Sequence, residues 1–523
     1  MRSLAPICEN NPLLPIAGCL MTGIAIGEEF DQEVSSTLLV SFAGSVLLTF
    51  LLRGRKLMSI AVLLSVTLLG AILAIRQQMA DERLCSFTAS YKELKAVVAS
   101  EPTMQPHSIA YDLLLADDGR KLKCYFQQDE RSKILKPSDG LVLTTRVQGF
   151  SKADASNPSN SASQSYNTYL RRHGYAGQCY VANDQWHSEC ISLGGISKLN
   201  RIRIRFLCWR HQLLERYRLL GAHHDVYGVL AAMTLGDKSA LEKNVQDIYS
   251  VTGASHVLAL SGLHLGILYL LLVWLMDGKH WQRRLFTQIV LVLTIWAFAL
   301  LAGLPVSLLR AAVMLTIMTV VAVGRRNHAS VNVLFFTAIL MLLYNPNTLY
   351  DVGFQLSFMA VFSILILMPL FNPLFDLPRM QHQPLRSISQ CMAVSLMAQV
   401  GVAPLIAYYF GRFSTYFLLT NLIVLPAAYM ILFGSLLMLI IPLNIIASPV
   451  LWLINVLNSI LEYMSMLPLS SIENLHPSGA QVILYYVIAA CLCGVALVIQ
   501  GRWYKSLNDL SIEEYSALVF KQE

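Results

Sequence analysis

Residues 255–268 read SHVLALSGLHLGIL, which places Ser255, His256, Ser261 and His264 at the head of a run that stays apolar to Met276. An imidazole can move a proton, bind a metal or donate a hydrogen bond. On one continuous helix His256, Leu260 and His264 recur every four residues and form one drifting stripe, and Ser261 can share its side. Eight residues set the two histidines about 12 Å apart along the axis, too far for one metal ion without another element. Gly262 and Gly266 make a GxxxG, which lets a second helix approach closely. Polar groups at membrane depth face a bundle interior or an aqueous cavity. The cluster predicts either a wet cavity or hydrogen bonds to neighbouring helices. It carries no pattern for a catalytic group, a metal site or a cofactor.

Further polar residues stand in equally apolar surroundings. Arg310 follows the Leu304–Pro305 break, where it either meets an anion or snorkels to lipid headgroups. Asp351, Gln355 and Ser357 open another apolar stretch. Asp351 can pair with Arg310 or Arg412, while Gln355 and Ser357 are uncharged donors. Gln399 precedes Gly401 and Pro404, which predicts a kinked or broken helix. Asn421 and Pro426 would interrupt the next helix in the same way. YYFGRFSTY (408–416) groups five aromatics around Arg412, as an outer mouth or an interfacial belt.

These residues need elements to hold them, and composition says in what solvent. Of 523 residues 55% are hydrophobic and 14% charged. A soluble domain carries about 25% charged residues, so the chain is an integral membrane protein. The net charge of +7 is modest and belongs to cytoplasmic loops. Arg2 precedes the first apolar run, but no small-residue cleavage pattern follows, so no cleavable signal peptide is expected. A spanning helix needs about 20 apolar residues. Candidates lie near 13–27, 36–52, 57–76, 256–276, 285–304, 306–323, 329–344, 354–370, 388–409, 416–441, 447–467 and 480–500. Basic loops at 53–56, 277–284, 324–328, 379–386 and beyond Arg502 then share one side if every stretch spans, and the polar region 80–255 lies outside.

The predicted class is a mainly α polytopic membrane protein of about 11–12 helices with an inserted extracytoplasmic β domain. The expected divisions are N-terminal helices at 1–80, the β domain at 81–200, amphipathic interfacial helices at 201–255, a transmembrane channel domain at 256–500 and a tail at 501–523. Runs such as YDLLLA, KLKCYF, LVLTTRVQGF and GQCYVA read as short strands between turns. They suit an OB-like barrel or a β-sandwich. Residues 151–165 have the composition of a loop. Cys85, Cys124, Cys179 and Cys190 lie in this region, as one or two disulfides in an oxidising compartment or as free thiols. Residues 201–220 carry six arginines, suiting a helix on lipid headgroups, a basic platform or a linker. Residues 225–250 read as amphipathic, with a turn near LGDKSAL.

VTGASHVLALSGLHLGIL (251–268) resembles the signature of the ComEC family, inner-membrane channel proteins of natural DNA uptake. LLAGLPVSLLRAAVM (300–314), NPNTLYDVGFQLSFMAV (345–361) and SLMAQVGVAPLIAYYFGRFSTYFLLTNLIVLPA (395–427) are similar to later family motifs in the family's order. SYNTYLRRHGYAGQCYV (165–181) is similar to the end of the family's OB-like domain. The resemblance implies a non-enzymatic, multi-pass channel in the bacterial cytoplasmic membrane that imports single-stranded DNA during transformation. Ser255, His256, Ser261, His264, Arg310, Gln355, Ser357, Gln399 and Arg412 are its expected path residues.

The implied partners are single-stranded DNA, membrane lipid, a periplasmic DNA receptor, a cytoplasmic ATPase with single-strand-binding proteins, and a separate nuclease. The ATPase is external because Lys238-Ser239 lacks the glycine pattern of a phosphate loop. Many family members continue into a metallo-β-lactamase-like domain, whereas this chain stops at Glu523 and its nearest lookalike, His223-His224-Asp225, has the wrong spacing. No hydrolase activity is therefore expected. Two other classes compete: a secondary transporter of a small anion, and a membrane enzyme using His256 and His264.

Overall fold

The computed structural model describes residues 11–496 apart from 31, 53, 86, 88–90, 151–160, 192, 277–280, 324–329 and 376–382. Most of the expected basic loops, residues 151–160 of the loop expected at 151–165, and the tail at 501–523 lie outside the described residues; residues 161–165 of that loop are instead the start of a helix, Ser161–Arg172.

Helices occupy all twelve apolar stretches. The N-terminal group is α1 (Leu13–Glu28), α2 (Ser35–Leu51) and α3 (Arg55–Leu84). Seven more follow the β domain: α10 (Gly262–Leu275), α11 (Trp281–Leu301), α12 (Val306–Val323), α13 (Ser330–Tyr344), α14 (Val352–Phe375), α15 (Gln383–Phe410) and α16 (Phe417–Ile440). Two close the bundle, α17 (Asn444–Ser465) and α18 (Gly479–Ala496). Six of them are long and apolar enough to cross a membrane, within α3, α14, α15, α16, α17 and α18. The other six are shorter apolar helices. This is the build of a polytopic membrane protein.

Apolar packing sorts the helices into groups. Leu20 and Ile24 of α1 pack with Ala74 of α3, Leu334 of α13 and Phe358 of α14. Leu265, Ile295 and Leu308 join α10, α11 and α12. Gly401 brings α15 against α14 so closely that a Cβ there would lie 2.5 Å from the Met359 carbonyl oxygen.

Between the helical groups stands the β domain: β1 (Tyr91–Val98), β2 (Thr103–Met104), β3 (Ser108–Leu115), β4 (Lys121–Gln127), β5 (Gly140–Arg146), β6 (Gln148–Gly149), β7 (Tyr175–Val181) and β8 (Trp186–Ser188). The sheet order is β6-β7-β4-β3-β1-β5-β8, and β4 pairs with β7 in parallel. Alternation drives the layering. Leu122, Cys124 and Phe126 of β4 are buried, whereas Lys121, Lys123 and Tyr125 are half-buried on the other face. Phe126 meets Tyr111 and Trp186 edge to face, each at 5.6 Å. Two short helices decorate the sheet, α4 (Glu130–Lys133) and α5 (Ser161–Arg172).

Among the described residues the cysteines are thiols, so the expected disulfides are not formed here. Cys124 and Cys179 are register partners on β4 and β7 with sulfur atoms 2.8 Å apart. Cys85 is buried and donates to the Tyr175 carbonyl, and Cys190 is exposed.

Three helices link the β domain to the bundle: α6 (Lys198–Leu219), α7 (His224–Leu235) and α8 (Lys243–Val251). The arginine-rich α6 is not simply laid on lipid. Ile204 packs with Val97 and Leu114 of the β domain, and Tyr217 packs into the bundle. Nor is α7 amphipathic, because Tyr227 through Leu235 are all buried. It is a core helix enclosed by its neighbours, and Gly236 ends it in the left-handed region at φ 72°. The turn expected near LGDKSAL follows there.

Candidate functional site

The signature stretch is not one helix. Gly253 turns the chain at φ 82°, then α9 (Ser255–Leu258) makes a single turn. Ser261 is extended at φ −120°, ψ 174°, and α10 begins at Gly262. In a continuous helix the Leu260 carbonyl would accept from the His264 N–H. Here it accepts from Ser307 Oγ of α12 at 2.7 Å. The shared stripe of His256 and His264 is therefore corrected: they lie on separate segments. Ser255 and His256 are exposed, with His256 Nδ1 donating to the Gly253 carbonyl at 3.1 Å.

His264 is 1% exposed. Its Nδ1 accepts from the Ser261 N–H at 3.2 Å, satisfying a donor that the helix start leaves free. A neutral imidazole accepting at Nδ1 carries its proton on Nε2. That Nε2 is buried without a partner. One turn of α12 presents a second such group. Arg310 is 6% exposed, and its Nε and Nη1 have no hydrogen-bond partner. Its guanidinium stands 5.7 Å over the Phe358 ring. A Cβ on Gly262 would meet Arg310 Nη2 at 3.4 Å and Ala311 Cβ at 3.3 Å, so this glycine admits Arg310 to the first turn of α10. Gly266, by contrast, has nothing within 4 Å of where its Cβ would stand, so the expected GxxxG contact is made at Gly262 alone.

A cation beside a helix N-terminus is placed against the macrodipole. Buried without a carboxylate, it is more costly still. No carboxylate among the described residues lies within ion-pair distance of Arg310. Arg310 Nε and Nη1 and His264 Nε2 are buried donors without an acceptor beside the first turn of α10, where the Ser261 capping box already takes the His264 N–H; unpaired donors at a helix start suit an anion.

Helix α16 packs on both α9 and α10. On that helix and the turn before it, the hydroxyls Ser414 Oγ and Thr420 Oγ1 and the acceptor Asn421 Oδ1 are also buried without partners. A further buried cation comes from α6: Arg210 is 8% exposed, its Nε is unpartnered, and its Nη1 would stand 3.4 Å from a Cβ on Gly303. Sequence reading left out Ser414, Thr420 and Arg210. Hydroxyls in a helix read as ordinary back-bonding groups, and one arginine among six carries no mark of its own burial.

The other expected path residues are not gathered at this point. Gln355 is tied at both ends, donating to the Leu349 carbonyl at 3.0 Å and accepting from Tyr409 Oη at 2.7 Å. Ser357 and Gln399 are half-buried on α14 and α15. Of the kink or break expected near Gln399, no break occurs: helix α15 is continuous, with Pro404 inside it. Proline has no N–H for the Val400 carbonyl. That carbonyl accepts from Tyr485 Oη at 3.2 Å instead, and the Gly401 carbonyl from Tyr486 Oη at 2.7 Å. Helix α16 likewise runs through Pro426. Asp351 pairs with neither arginine: it meets His173 Nε2 of the β domain at 3.1 Å. Arg412 stands 3.9 Å from the exposed Asp247.

Outside the membrane, Lys121 and Lys123 flank Asp112 at 3.0 and 2.9 Å, and Tyr175 donates to it at 2.8 Å. Burial alone would raise the Asp112 pKa; the two lysines and Tyr175 overcome it and hold the carboxyl low. Burial draws Lys121 down to about 8. For His173 burial is outweighed by its bonds to Asp351 and the Tyr169 carbonyl, which raise its pKa.

A polytopic helical bundle with buried, unpartnered donors at a broken helix and an inserted β domain defines a multi-pass membrane protein. Residues 233–498 match the family model described as Competence protein, and the chain belongs to that family, the one its motifs resemble. ComE operon protein 3 of Bacillus subtilis (strain 168) is 30% identical over 261 residues, 50% of this chain and 31% of that protein. An uncharacterized protein of Aquifex aeolicus (strain VF5) is 31% identical over 222 residues, 40% of this chain and 50% of its own length. Recombination protein 2 of Haemophilus influenzae is 28% identical over 150 residues, 27% of this chain and 19% of that protein. The matched stretch thus spans half or less of each curated relative. No solved structure matches the chain.

Proposed function

We propose that the chain conducts single-stranded DNA inward across the bacterial cytoplasmic membrane during natural transformation. The observation that carries this reading is the pair of buried side chains with unpartnered donors beside the first turn of α10, His264 and Arg310, the latter at 6% exposure. A phosphodiester offers one negative charge per nucleotide and can satisfy each donor in turn. Sites for a moving polyanion must bind enough to admit it and weakly enough to release it. In this conformation the donors are occluded, so conduction requires α10 and α12 to part. The extended Ala259–Ser261 segment is the natural place to yield, since Ser307 holds it by one hydrogen bond.

The β domain's strand order supports an OB-like barrel: β5 runs on into β6, which pairs with β7, while β7 lies parallel to β4. Its role is read as receiving the strand. The chain is read as a conduit and not an enzyme, since His256 and His264 stand on separate segments. A periplasmic receptor, a cytoplasmic ATPase, single-strand-binding proteins and a separate nuclease complete the proposed system. Transport of a small anion rests on the same donors.

The test is a clean deletion scored for uptake of labelled marker DNA, complemented by wild type and by His264→Ala at equal membrane abundance. Loss of internalised DNA with surface binding intact, restored only by wild type, supports conduction. Normal transformation in the deletion strain overturns it, and loss of small-anion uptake alone favours the transporter.

A further inference from the structure

Helix α5 carries an aromatic stripe in which two tyrosines are exposed and a histidine is half-buried. Tyr166, Tyr169 and His173 are spaced three and four residues apart, so they share one face. Tyr166 is 41% and Tyr169 53% exposed. Their rings are nearly parallel, at 16° with centroids 6.3 Å apart. Tyr169 and His173 follow at 4.0 Å and 35°.

The stripe is fixed at both ends. Tyr166 Oη meets Tyr125 Oη of β4 at 3.0 Å, and His173 meets Asp351 at 3.1 Å where α14 begins. One turn into α14, Gln355 bonds Tyr409, and Tyr408 and Tyr409 are again exposed, at 46% and 38%. Under α5 the two lysines share the single carboxylate of Asp112, which leaves one positive charge in excess.

Core packing does not account for rings this exposed. Exposed rings already arranged in a stacked row, with a nearby excess cation, are what unpaired bases stack on or between, independent of sequence. We propose that Tyr166, Tyr169 and His173 form a stacking track that receives the bases of a single-stranded nucleic acid and directs it toward Gln355 and Tyr409 at the membrane. This rests on the conduction reading above and names where the strand is first held.

The test uses the full-length protein in detergent and a short fluorescein-labelled oligothymidylate, read by anisotropy across a salt series. The variants are Tyr166→Leu with Tyr169→Leu, which keeps apolar bulk but removes the rings, and Tyr166→Phe with Tyr169→Phe, which keeps the rings. The leucine pair is expected to bind at least about ten-fold more weakly, with the salt slope unchanged because phosphate contacts persist. The phenylalanine pair is expected to bind as wild type does. Wild-type binding and uptake by the leucine pair overturn the track and leave conduction standing. Wild-type oligonucleotide binding by the leucine pair with lost uptake marks the stripe as a protein-docking surface, which also overturns the track. Failure of wild type to bind, with normal uptake in the deletion strain, removes both readings.

Discussion

Arg310→Met is the substitution that separates function from stability. Arg310 buries Nε and Nη1 without partners. Each unsatisfied buried donor costs about 1–3 kcal/mol, so the two cost about 2–6 kcal/mol. The contact with Phe358 returns about 1 kcal/mol. Methionine fills a similar volume with no donor to satisfy. Arg310→Met should therefore stabilise the protein by about 1–5 kcal/mol while abolishing uptake, the outcome also seen when buried ionic groups give way to apolar ones. Stability is read as thermal unfolding at fixed detergent concentration, and function as internalised label in cells with matched protein levels. Arg310→Lys keeps the charge but loses the planar fork and should fall between the two in uptake. A methionine variant that is less stable and transports normally would refute the reasoning, since Arg310 would then be a structural group.

Three further outcomes are expected. The His173–Asp351 contact should be at full strength below about pH 6.5, the ordinary histidine value, and be lost as pH rises through the raised folded value; His173→Asn should flatten that part of a stability-versus-pH profile. Oxidation of intact cells should join Cys124 to Cys179, register partners with sulfur atoms 2.8 Å apart, and leave Cys190 reactive to maleimide, as read by mass spectrometry. Gly401→Ala should destabilise by about 1–3 kcal/mol because its Cβ meets the Met359 carbonyl oxygen at 2.5 Å, whereas Gly266→Ala, facing open space, should be silent in the same unfolding assay.

Apolar stretches gave the positions of all twelve helices, because a hydrocarbon environment is written into composition over about 20 residues. Strands β3, β4, β5 with β6, and β7 were legible from alternation and turns, whereas β1, β2 and β8 were not named from the sequence; the family was legible from the order of its motifs. The limits of local pattern show at α9 and α10, where SHVLALSGLHLGIL has the spacing of one helix. Ser307, forty-seven residues away, takes the Leu260 carbonyl and lets the chain break. The reverse holds at Pro404, where a kink or break was expected and Tyr485 supplies the missing donor from another helix. Burial of α7 and of Arg210 is likewise a property of what surrounds them.

The residue types near the site, His264, Arg310 and Asn421, were set by the chain itself, as was their cost in an apolar medium. Which of them share a site was decided by packing: Gly262 admits Arg310 to the start of α10, while Gln355 is bound to Tyr409 and Asp351 to His173. Hydrogen bonds and ion pairs join groups that are neighbours in space, and separations such as the 178 residues between His173 and Asp351 leave no periodicity to read.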